Sequence, residues 1–392
     1  MDIGSGLVRA GSLLLAAFLG GAAAVGIGAA IDDDPDAQTV VSTVAADPAP
    51  AKFEPSVTGT GSKSIQQIYE EAGPGVVQVT TSGLAAENPF LGQEPSSTLG
   101  SGFVVDRDGY LVTNYHVIEN AQEVEVNFSG DDRVPATVVG SDPSTDLAVL
   151  KIDAQARALT PLPLGNSDAV RVGDAVVAIG NPYGLERSAT AGIVSALQRN
   201  ITAPNGFTID KVIQIDAPIN RGNSGGPLLN GNGEVIGVNS QIESETGGNV
   251  GIGFAVPVNT VREVVSQIKE HGKVEHAYLG VEMQSITDEL AETFRLPVEE
   301  GVLVVNVVDG SPADEAGLEG GDRQVIVDGT SYVLGGDIVT AANGESMTSP
   351  DELRTMIMGM APGDPLSLEI QRGDSQRTVN VTLGQQPAQS GG

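Results

Sequence analysis

Short apolar runs alternate with turn residues along most of this chain. From about residue 65 to residue 257, segments rich in Val, Ile and Leu are separated by Gly, Asn, Asp and Pro. Typical segments are residues 76–80 (VVQVT), 102–105 (GFVV), 124–128 (VEVNF) and 175–179 (AVVAI). Many short strands with closely spaced turn signals are typical of an all-β barrel or sandwich. The pattern therefore predicts a mostly β domain over this stretch.

The spacing of the apolar residues changes near residue 257. Apolar residues then recur at helical spacing over residues 261–268, and His271-Gly272 follows as a helix stop. A second unit extends from about residue 278 to residue 383, with a strand at 301–305 and a closing hairpin at 366–381. Residues 349–352 (SPDE) offer an N-cap serine, a proline at the first helical position and acids in the first turn. We predict a small α+β domain here.

The start of the chain differs in amino-acid composition from the rest. Residues 10–31 carry no charge and are almost wholly apolar or small, which is long enough to span a bilayer. Arg9 precedes this run and three aspartates follow it, which favours an inside N-terminus and an exported body. We predict a cytoplasmic segment at 1–9, a single transmembrane anchor at 10–31 and a flexible linker at 32–63. A cleaved signal peptide is the alternative, because small residues at 22–24 and 28–30 resemble cleavage sites.

Composition narrows the classes of partner and cofactor. The 392 residues carry a net charge of −31, from 51 acidic and 20 basic residues. Such a charge argues against nucleic acid or anionic lipid as a partner. It fits a solvated surface, with adaptation to high salt as a second interpretation. With no cysteine and three histidines, the chain offers little for a metal centre, and we expect no metal and no cofactor.

One serine lies in a loop with almost no side chains around it. Residues 222–227 (GNSGGP) place Ser224 among glycines, where a scissile carbonyl can approach and backbone N–H groups can meet an oxyanion. Upstream, His116 closes one apolar run and Asp146 opens another. The chain order His, Asp, Ser is one of the known orders of a catalytic triad.

Together these motifs resemble those of the HtrA/Deg serine proteases. The matching segments, in order, are residues 100–103 (GSGF), 113–117 (TNYHV), 146–151 (DLAVLK), 192–196 (GIVSA), 216–227 and 251–257 (GIGFAVP). The resemblance implies a chymotrypsin-like double β-barrel at 64–270 and an α+β PDZ domain at 277–384. Residues 385–392, which follow the closing hairpin, are predicted to be a disordered tail. One anchor with one PDZ domain is similar to the membrane-tethered branch of the family.

The resemblance also assigns roles at the reaction centre. Ser224 would be the nucleophile, His116 the general base and Asp146 the residue that orients the imidazole. Gly222, Asn223 and Ser224 would form the oxyanion hole, through the backbone N–H groups of the first and last. Secreted trypsin-like enzymes carry Asp where this chain has Asn223. Because an uncharged amide cannot pair with a newly cut N-terminus, we expect activity to be controlled by loop ordering.

Specificity and regulation are predicted from neighbouring segments. The substrate pocket would involve Ile219, Ser240 and Ile252, and Pro218 stands where trypsin-like enzymes have an acid, so we expect a preference for small aliphatic residues. Arg199 is the candidate for a regulatory loop that relays signals from the PDZ domain.

In the PDZ domain, a C-terminal peptide tail would bind by strand addition. The predicted peptide-binding residues are Tyr278, Leu279, Gly280, Val281, Leu353, Met356 and Ile357. The domain departs from the family pattern between residues 322 and 335, where Asp328-Gly329 predicts an extra hairpin. The connector histidines, His271 and His276, receive no functional assignment.

These features lead to a functional hypothesis. We expect a membrane-tethered, extracytoplasmic serine endopeptidase that degrades unfolded or misfolded polypeptides and binds C-terminal tails, without a nucleic-acid partner. A homotrimer follows from the resemblance of residues 88–91 (NPFL) to a family contact loop. Two alternatives stay open: a regulatory protease that cuts one membrane signalling protein, and a chaperone or PDZ adaptor without proteolysis.

Overall fold

The computed structural model describes residues 62–83, 96–128, 132–154, 158–182, 187–220, 222–242, 251–327 and 329–388. The predicted anchor, nearly all of the linker and the loop at 88–91 lie outside these residues. Within the described residues, none of the helices has the length and apolar character needed to cross a bilayer. The predicted mostly β architecture is confirmed: two closed barrels precede a mixed α+β domain.

The first barrel follows a short capped helix, α1 (Ile65–Ala72). Its strands are β1 (Val76–Gly83), β2 (Ser96–Val104), β3 (Tyr110–Thr113), β4 (Glu123–Asn127), β5 (Arg133–Asp142) and β6 (Leu147–Lys151), and a one-turn helix, α2 (Tyr115–Ile118), follows β3. The strands close in the order β1-β2-β3-β6-β5-β4. The period-two pattern explains the core, because Val77 and Val79 point into the barrel while Val76 packs in the larger cluster that reaches the second barrel.

The second barrel has the same closed form, in the order β10-β11-β12-β9-β8-β7. Its strands are β7 (Ala175–Gly180), β8 (Ser188–Thr202), β9 (Thr208–Ile215), β10 (Pro227–Leu229), β11 (Val235–Ile242) and β12 (Gly253–Pro257). The predicted helix follows as α3 (Val258–His271), which buries Val261, Val264, Val265 and Ile268 and contacts both barrels. Gly272 ends it at φ 75°, a backbone conformation that suits glycine.

The α+β domain contains the remaining elements. They are β13 (Ala277–Tyr278), β14 (Val281–Ser285), α4 (Asp288–Phe294), β15 (Val302–Val307), α5 (Pro312–Glu315), β16 (Arg323–Val327), β17 (Thr330–Leu334), β18 (Ile338–Ala342), β19 (Glu345–Ser346), α6 (Pro350–Met358), β20 (Pro365–Arg372), β21 (Ser375–Thr382) and β22 (Gly384–Gln385). The main sheet has the order β14-β15-β18-β20-β21, so β14 is an edge strand. The N-cap of α6 is as predicted, since Ser349 Oγ accepts from the N–H of Glu352.

Two parts of this domain bear on the sequence-based predictions: the extra hairpin and the C-terminal tail. The extra hairpin exists as β16 and β17, and its Tyr332 and Leu334 pack with Leu290 of α4 in a small separate core. The predicted disordered tail begins too early, because Gln385 pairs with Ala277 and the N–H of Gln386 donates to the carbonyl of His276. Main-chain pairing with the short strand β13 holds these residues.

Candidate active site

Strand pairing brings His116 and Asp146 together. His116 lies in α2, directly after β3, and Asp146 lies directly before β6. Since β3 and β6 are antiparallel neighbours, with Thr113 opposite Ala148, the end of one and the start of the other meet at the same edge of the barrel. The His116 ring Nδ1 lies 2.9 Å from both carboxylate oxygens of Asp146, and the His116 N–H donates to Oδ1 at 3.0 Å.

Asp146 is buried and held from several sides. Its backbone carbonyl accepts from Asn114 Nδ2 at 2.8 Å and from the N–H of Tyr115 at 3.1 Å. Its Oδ2 accepts from Ser240 Oγ at 2.7 Å. These bonds fix the carboxylate against Nδ1 of His116, which leaves Nε2 as the ring nitrogen that can accept a proton.

The environment of His116 favours its protonated form. Burial of the ring lowers its pKa, but the hydrogen bond and negative charge of Asp146, with a smaller contribution from Glu119, outweigh burial. The net result is a pKa above the ordinary value of 6.5. An imidazole in this position is a stronger base than a free histidine and can hold a proton taken from a nearby hydroxyl.

The Ser224 loop lies between β9 and β10 and is held by main-chain hydrogen bonds, within the loop and to β11. The N–H groups of Asn223, Gly225 and Gly226 donate to the carbonyls of Asn220, Asn239 and Asn223, respectively. Among the described residues, none accepts a hydrogen bond from the N–H of Gly222 or of Ser224. Two such donors beside one serine are the arrangement that an oxyanion hole requires.

The loop needs glycine at two positions for clear geometric reasons. Gly222 has φ 94°, and a Cβ there would lie 2.4 Å from Cβ of Pro182. Gly225 has φ 84°, and a Cβ there would lie 2.1 Å from the carbonyl oxygen of Ser101. Both the left-handed backbone and the close packing exclude a side chain.

This packing brings Ser224 next to the segment that carries His116. A Cβ at Gly225 would lie 2.5 Å from Oγ1 of Thr113 and 3.1 Å from the N of Asn114. In the described part of the chain, no hydrogen bond within 3.5 Å joins the Ser224 side chain to His116. Catalytic hydrogen bonds of unliganded sites are often long and tighten in the substrate complex.

The predicted pocket and oxyanion-hole residues differ from one another in their burial and their contacts. Asn223 is buried, and its Oδ1 accepts from Ser188 Oγ at 3.3 Å, a neutral contact. Ile219 differs from the prediction, because its side chain is 1% exposed within the core of the second barrel. Ser240 also differs, since its hydroxyl binds Asp146 and does not face an open pocket. Ile252 is partly buried at the edge of the core.

Some of the predicted peptide-binding residues line a cavity, and others pack in the core of the PDZ domain. Residues 278–281 and Ile357 line a cavity of about 540 Å³, which is also lined by Phe207 and Asp210 of the second barrel. Leu353 differs from the prediction, because it is fully buried in the domain core, and Met356 packs against that core. The helical spacing placed all three on one face of α6, but of the three only Ile357, which also packs in the domain core, lines the cavity.

The two domains meet beside this cavity. Arg354 of α6 binds Asp210 of β9 at 3.0 Å, and Asn200 of β8 donates to Asp351 at 3.0 Å. Arg199 lies on β8 itself and not in a loop, which corrects the prediction, and its Nε donates to Gln214. It is exposed, and its neighbour in sequence is the residue that contacts α6.

His276 has a partner that the sequence did not indicate. Its Nε2 lies 2.9 Å from both oxygens of Asp142, which is 3% exposed and also accepts from Ser144 N and Thr145 Oγ1. Burial lowers the pKa of His276, but the hydrogen bond and charge of Asp142, with the charge of Glu263, raise it above 6.5. The pair links the interdomain connector to the turn that leads to Asp146.

Replacing His276 by glutamine should therefore destabilise the chain most at acidic pH. A raised pKa means that the ion pair stabilises fully below the unfolded-state pKa of about 6.5, and that this stabilisation is lost as pH rises through the folded-state pKa. We expect a loss of about 1–3 kcal/mol in the free energy of unfolding near pH 5.5 and a smaller loss near pH 8.5. Urea unfolding at both pH values measures it.

His271→Gln is the matched control, because His271 is exposed and its carboxylate partner Glu270 is equally exposed. It should change stability little at either pH. A loss for His276→Gln that is the same at both pH values would contradict the assigned ion pair.

Comparisons with known proteins agree with this geometry. The Trypsin-like peptidase domain family matches residues 100–238, and the PDZ domain family matches residues 277–383. A probable periplasmic serine endoprotease, DegP-like, from Brucella suis is 40% identical over 306 residues, which cover 78% of this chain and 56% of the relative. The corresponding Chlamydia trachomatis protein is 44% identical over 299 residues, 76% of this chain and 56% of the relative. The chain thus spans little more than half the length of these relatives.

Solved structures match over more of their length. The HtrA-type protease AlgW with a decapeptide is 33% identical, with a TM-score of 0.69, covering 83% of this chain and 99% of that one. A serine endoprotease from Yersinia pestis is 33% identical, with a TM-score of 0.61 and coverage of 83% and 99%. The two family matches, together with an HtrA-type protease that is 33% identical over nearly its whole length, show that the chain belongs to the HtrA family of serine proteases.

Proposed function

We propose that this chain is an extracytoplasmic serine endopeptidase that cleaves unfolded or misfolded proteins. The observation that carries the proposal is the fixed pair of His116 and buried Asp146, beside a serine loop with two N–H groups that have no acceptor among the described residues. The Ser224 hydroxyl, a base and an oxyanion site are the three parts that acyl transfer requires.

The mechanism follows from these positions. Ser224 Oγ attacks the scissile carbonyl while His116 Nε2 takes its proton, and the negative charge of Asp146 stabilises the imidazolium. The N–H groups of Gly222 and Ser224 stabilise the oxyanion. The imidazolium then protonates the leaving amine, which leaves an acyl group on Ser224. Water, deprotonated by the same imidazole, releases the acid and restores the serine.

Substrate tails would bind at the PDZ domain. The edge strand β14 lies beside α6, so an extended peptide can add to the sheet along it. Its terminal carboxylate would meet the backbone of residues 278–281, which line the cavity. The matching AlgW structures contain a decapeptide or a tripeptide, which supports peptide ligands for this chain.

Location and assembly belong to the same proposal. The relatives from Brucella and Chlamydia are named periplasmic, and the apolar run at 10–31 is long enough for an anchor. We propose a single-pass membrane protein with its protease and PDZ domains outside the cytoplasm, assembled as a homotrimer. The cavity shared by the PDZ domain and the second barrel favours a second candidate, a regulatory protease that is switched by a bound tail.

The test compares the cleavage of one substrate protein in two states, unfolded and native. The purified chain is incubated with a reduced, carboxymethylated protein and with the same protein in its native, disulfide-bonded form. We expect rapid cleavage of the unfolded form only, and we expect a fluorophosphonate to stop cleavage and to label Ser224, as read by peptide mass spectrometry. Equal cleavage of both forms would refute the preference for unfolded chains. Suppressed aggregation without cleavage would favour the chaperone alternative.

A further inference from the structure

We propose that Ser101 is a positioning residue that holds the Ser224 loop in the shape that presents its oxyanion N–H groups. This inference rests on the proposed function and adds a residue to it. Ser101 lies in β2, opposite Gln78 of β1, and its side chain is fully buried. It belongs to the first barrel, whereas the loop that it holds precedes β10 of the second.

The glycines on either side of Ser101 allow two close approaches of β2: Gly100 to the Ser224 loop, and Gly102 to β3 of its own barrel. A Cβ at Gly100 would lie 2.6 Å from a methyl group of Val117 and 3.2 Å from the carbonyl oxygen of Ser224. A Cβ at Gly102 would lie 2.8 Å from the carbonyl of Val112. A larger residue in place of Gly100 would therefore keep β2 from coming this close to the loop that the Ser101 hydroxyl contacts.

Ser101 binds the loop at two points. Its N–H donates to the carbonyl of Ser224 at 2.8 Å, and its hydroxyl donates to the carbonyl of Gly222. These two carbonyls belong to the peptide units on either side of the one between Asn223 and Ser224. That central unit carries one of the oxyanion donors, so fixing both neighbours restricts the direction in which its N–H points.

The other contacts of Ser101 give its hydroxyl proton a single direction. The N–H of Asn181 donates to Ser101 Oγ at 2.8 Å, so the hydroxyl accepts there and donates to Gly222. Thr113 Oγ1 donates to the Ser101 carbonyl at 2.7 Å. Since Thr113 ends β3, just before the turn to His116, Ser101 connects the Ser224 loop with the strand that leads to the base.

Removing the hydroxyl would leave two buried polar groups without that partner. In Ser101→Ala, the carbonyl of Gly222 loses its donor and the N–H of Asn181 loses its acceptor, while the main-chain bond to Ser224 remains. The loop can then rotate the freed carbonyl outward, toward water and toward the oxyanion position. A misplacement of about 1 Å can cost about 10²-fold in rate, so we expect kcat to fall about 10- to 100-fold.

The experiment measures hydrolysis of a quenched fluorescent peptide, copied from a site cut in the unfolded test protein. For Ser101→Ala we expect the fall in kcat with KM unchanged within about twofold. Affinity for a peptide boronic acid, which forms a tetrahedral adduct with the serine, should fall by the same factor. The acid limb of the pH–rate profile should not move, because His116 is untouched.

Two further variants complete the test. Ser101→Cys keeps a weak donor and should have a kcat between those of the wild type and Ser101→Ala. Thr81→Val is the matched control, because Thr81 is also buried in the first barrel and its hydroxyl also contacts main-chain carbonyls, those of Thr98 and Val117. It should leave kcat unchanged.

The outcomes separate this inference from the proposed function. A wild-type chain that cuts neither the unfolded test protein nor any peptide would refute the protease itself. An active wild type with an unchanged kcat in Ser101→Ala, a loss confined to KM, or an equal loss in Thr81→Val would overturn only the positioning role. If circular dichroism shows Ser101→Ala to be unfolded, Ser101→Cys decides: a folded protein with wild-type kcat and boronate affinity overturns the proposal.

Discussion

Replacing Ser224 by alanine should lower kcat for peptide hydrolysis by about 10⁶-fold, the scale on which a serine protease loses activity without its nucleophile. Alanine cannot form the acyl intermediate, so only direct attack by water remains. The imidazole of His116, the Asp146 carboxylate and the two N–H donors stay in place, because none of the described hydrogen bonds of the loop uses the Ser224 side chain. Stability should change by less than about 0.5 kcal/mol.

The measurement is release of new amino termini from the unfolded test protein over long incubations. Peptide affinity at the PDZ cavity, measured by fluorescence anisotropy with a labelled C-terminal peptide, should be the same in both proteins, because that cavity does not include the serine loop. Ser375→Ala changes an exposed serine of the PDZ sheet and should leave kcat unchanged. Cleavage by the Ser224 variant at a rate near that of the wild type would refute the triad.

The features that the sequence could predict depend on local pattern. Short runs of apolar residues between turn residues predicted the barrel strands, because each strand buries apolar side chains whichever strand lies beside it. The helix α3 was predictable from four apolar positions and from Gly272, which ends it with a left-handed backbone. The N-cap at Ser349 followed from residue types alone. Each of these depends on neighbours within a few residues.

The features that the sequence did not predict depend on contacts between residues that are far apart in the chain. Ser240 and Asp146 are 94 residues apart, and nothing near Ser240 distinguishes a triad contact from a pocket wall. His276 and Asp142 are 134 residues apart and meet only because the connector returns to the first barrel. Ile219 stands close to the Ser224 loop in sequence, yet its side chain packs in the core.

Ser101 shows how the two kinds of information combine. The GSGF motif was recognisable as part of a family resemblance, but the sequence gives no reason for its serine. The physical reason appears only in three dimensions, where β2 of one barrel lies against the loop of the other. Gly100 allows the close approach to the Ser224 loop, and the buried Ser101 hydroxyl forms the hydrogen bond to that loop.

Replacing Asp146 by asparagine should lower kcat by about 10⁴-fold, because the imidazole would take the wrong tautomer. The backbone N–H of His116 donates to Oδ1 at 3.0 Å, so the oxygen of an asparagine is favoured at that position. Its NH₂ group then occupies the position of Oδ2, where Ser240 Oγ can turn to accept and where Nδ1 of His116 lies 2.9 Å away. An NH₂ group facing Nδ1 requires that nitrogen to be an acceptor.

The proton of the neutral ring would then lie on Nε2, which could no longer take the proton of Ser224. Steady-state hydrolysis tests this, with Ser240→Ala as the companion variant, since it removes one donor to the carboxylate and keeps its charge. We expect Ser240→Ala to lose far less activity than Asp146→Asn. The pKa of His116, followed by NMR, should fall in Asp146→Asn, because the hydrogen bond and charge that raise it are both altered. A folded Asp146→Asn protein with less than tenfold loss would show that the carboxylate does not control the tautomer, and the roles assigned to both residues would have to be withdrawn.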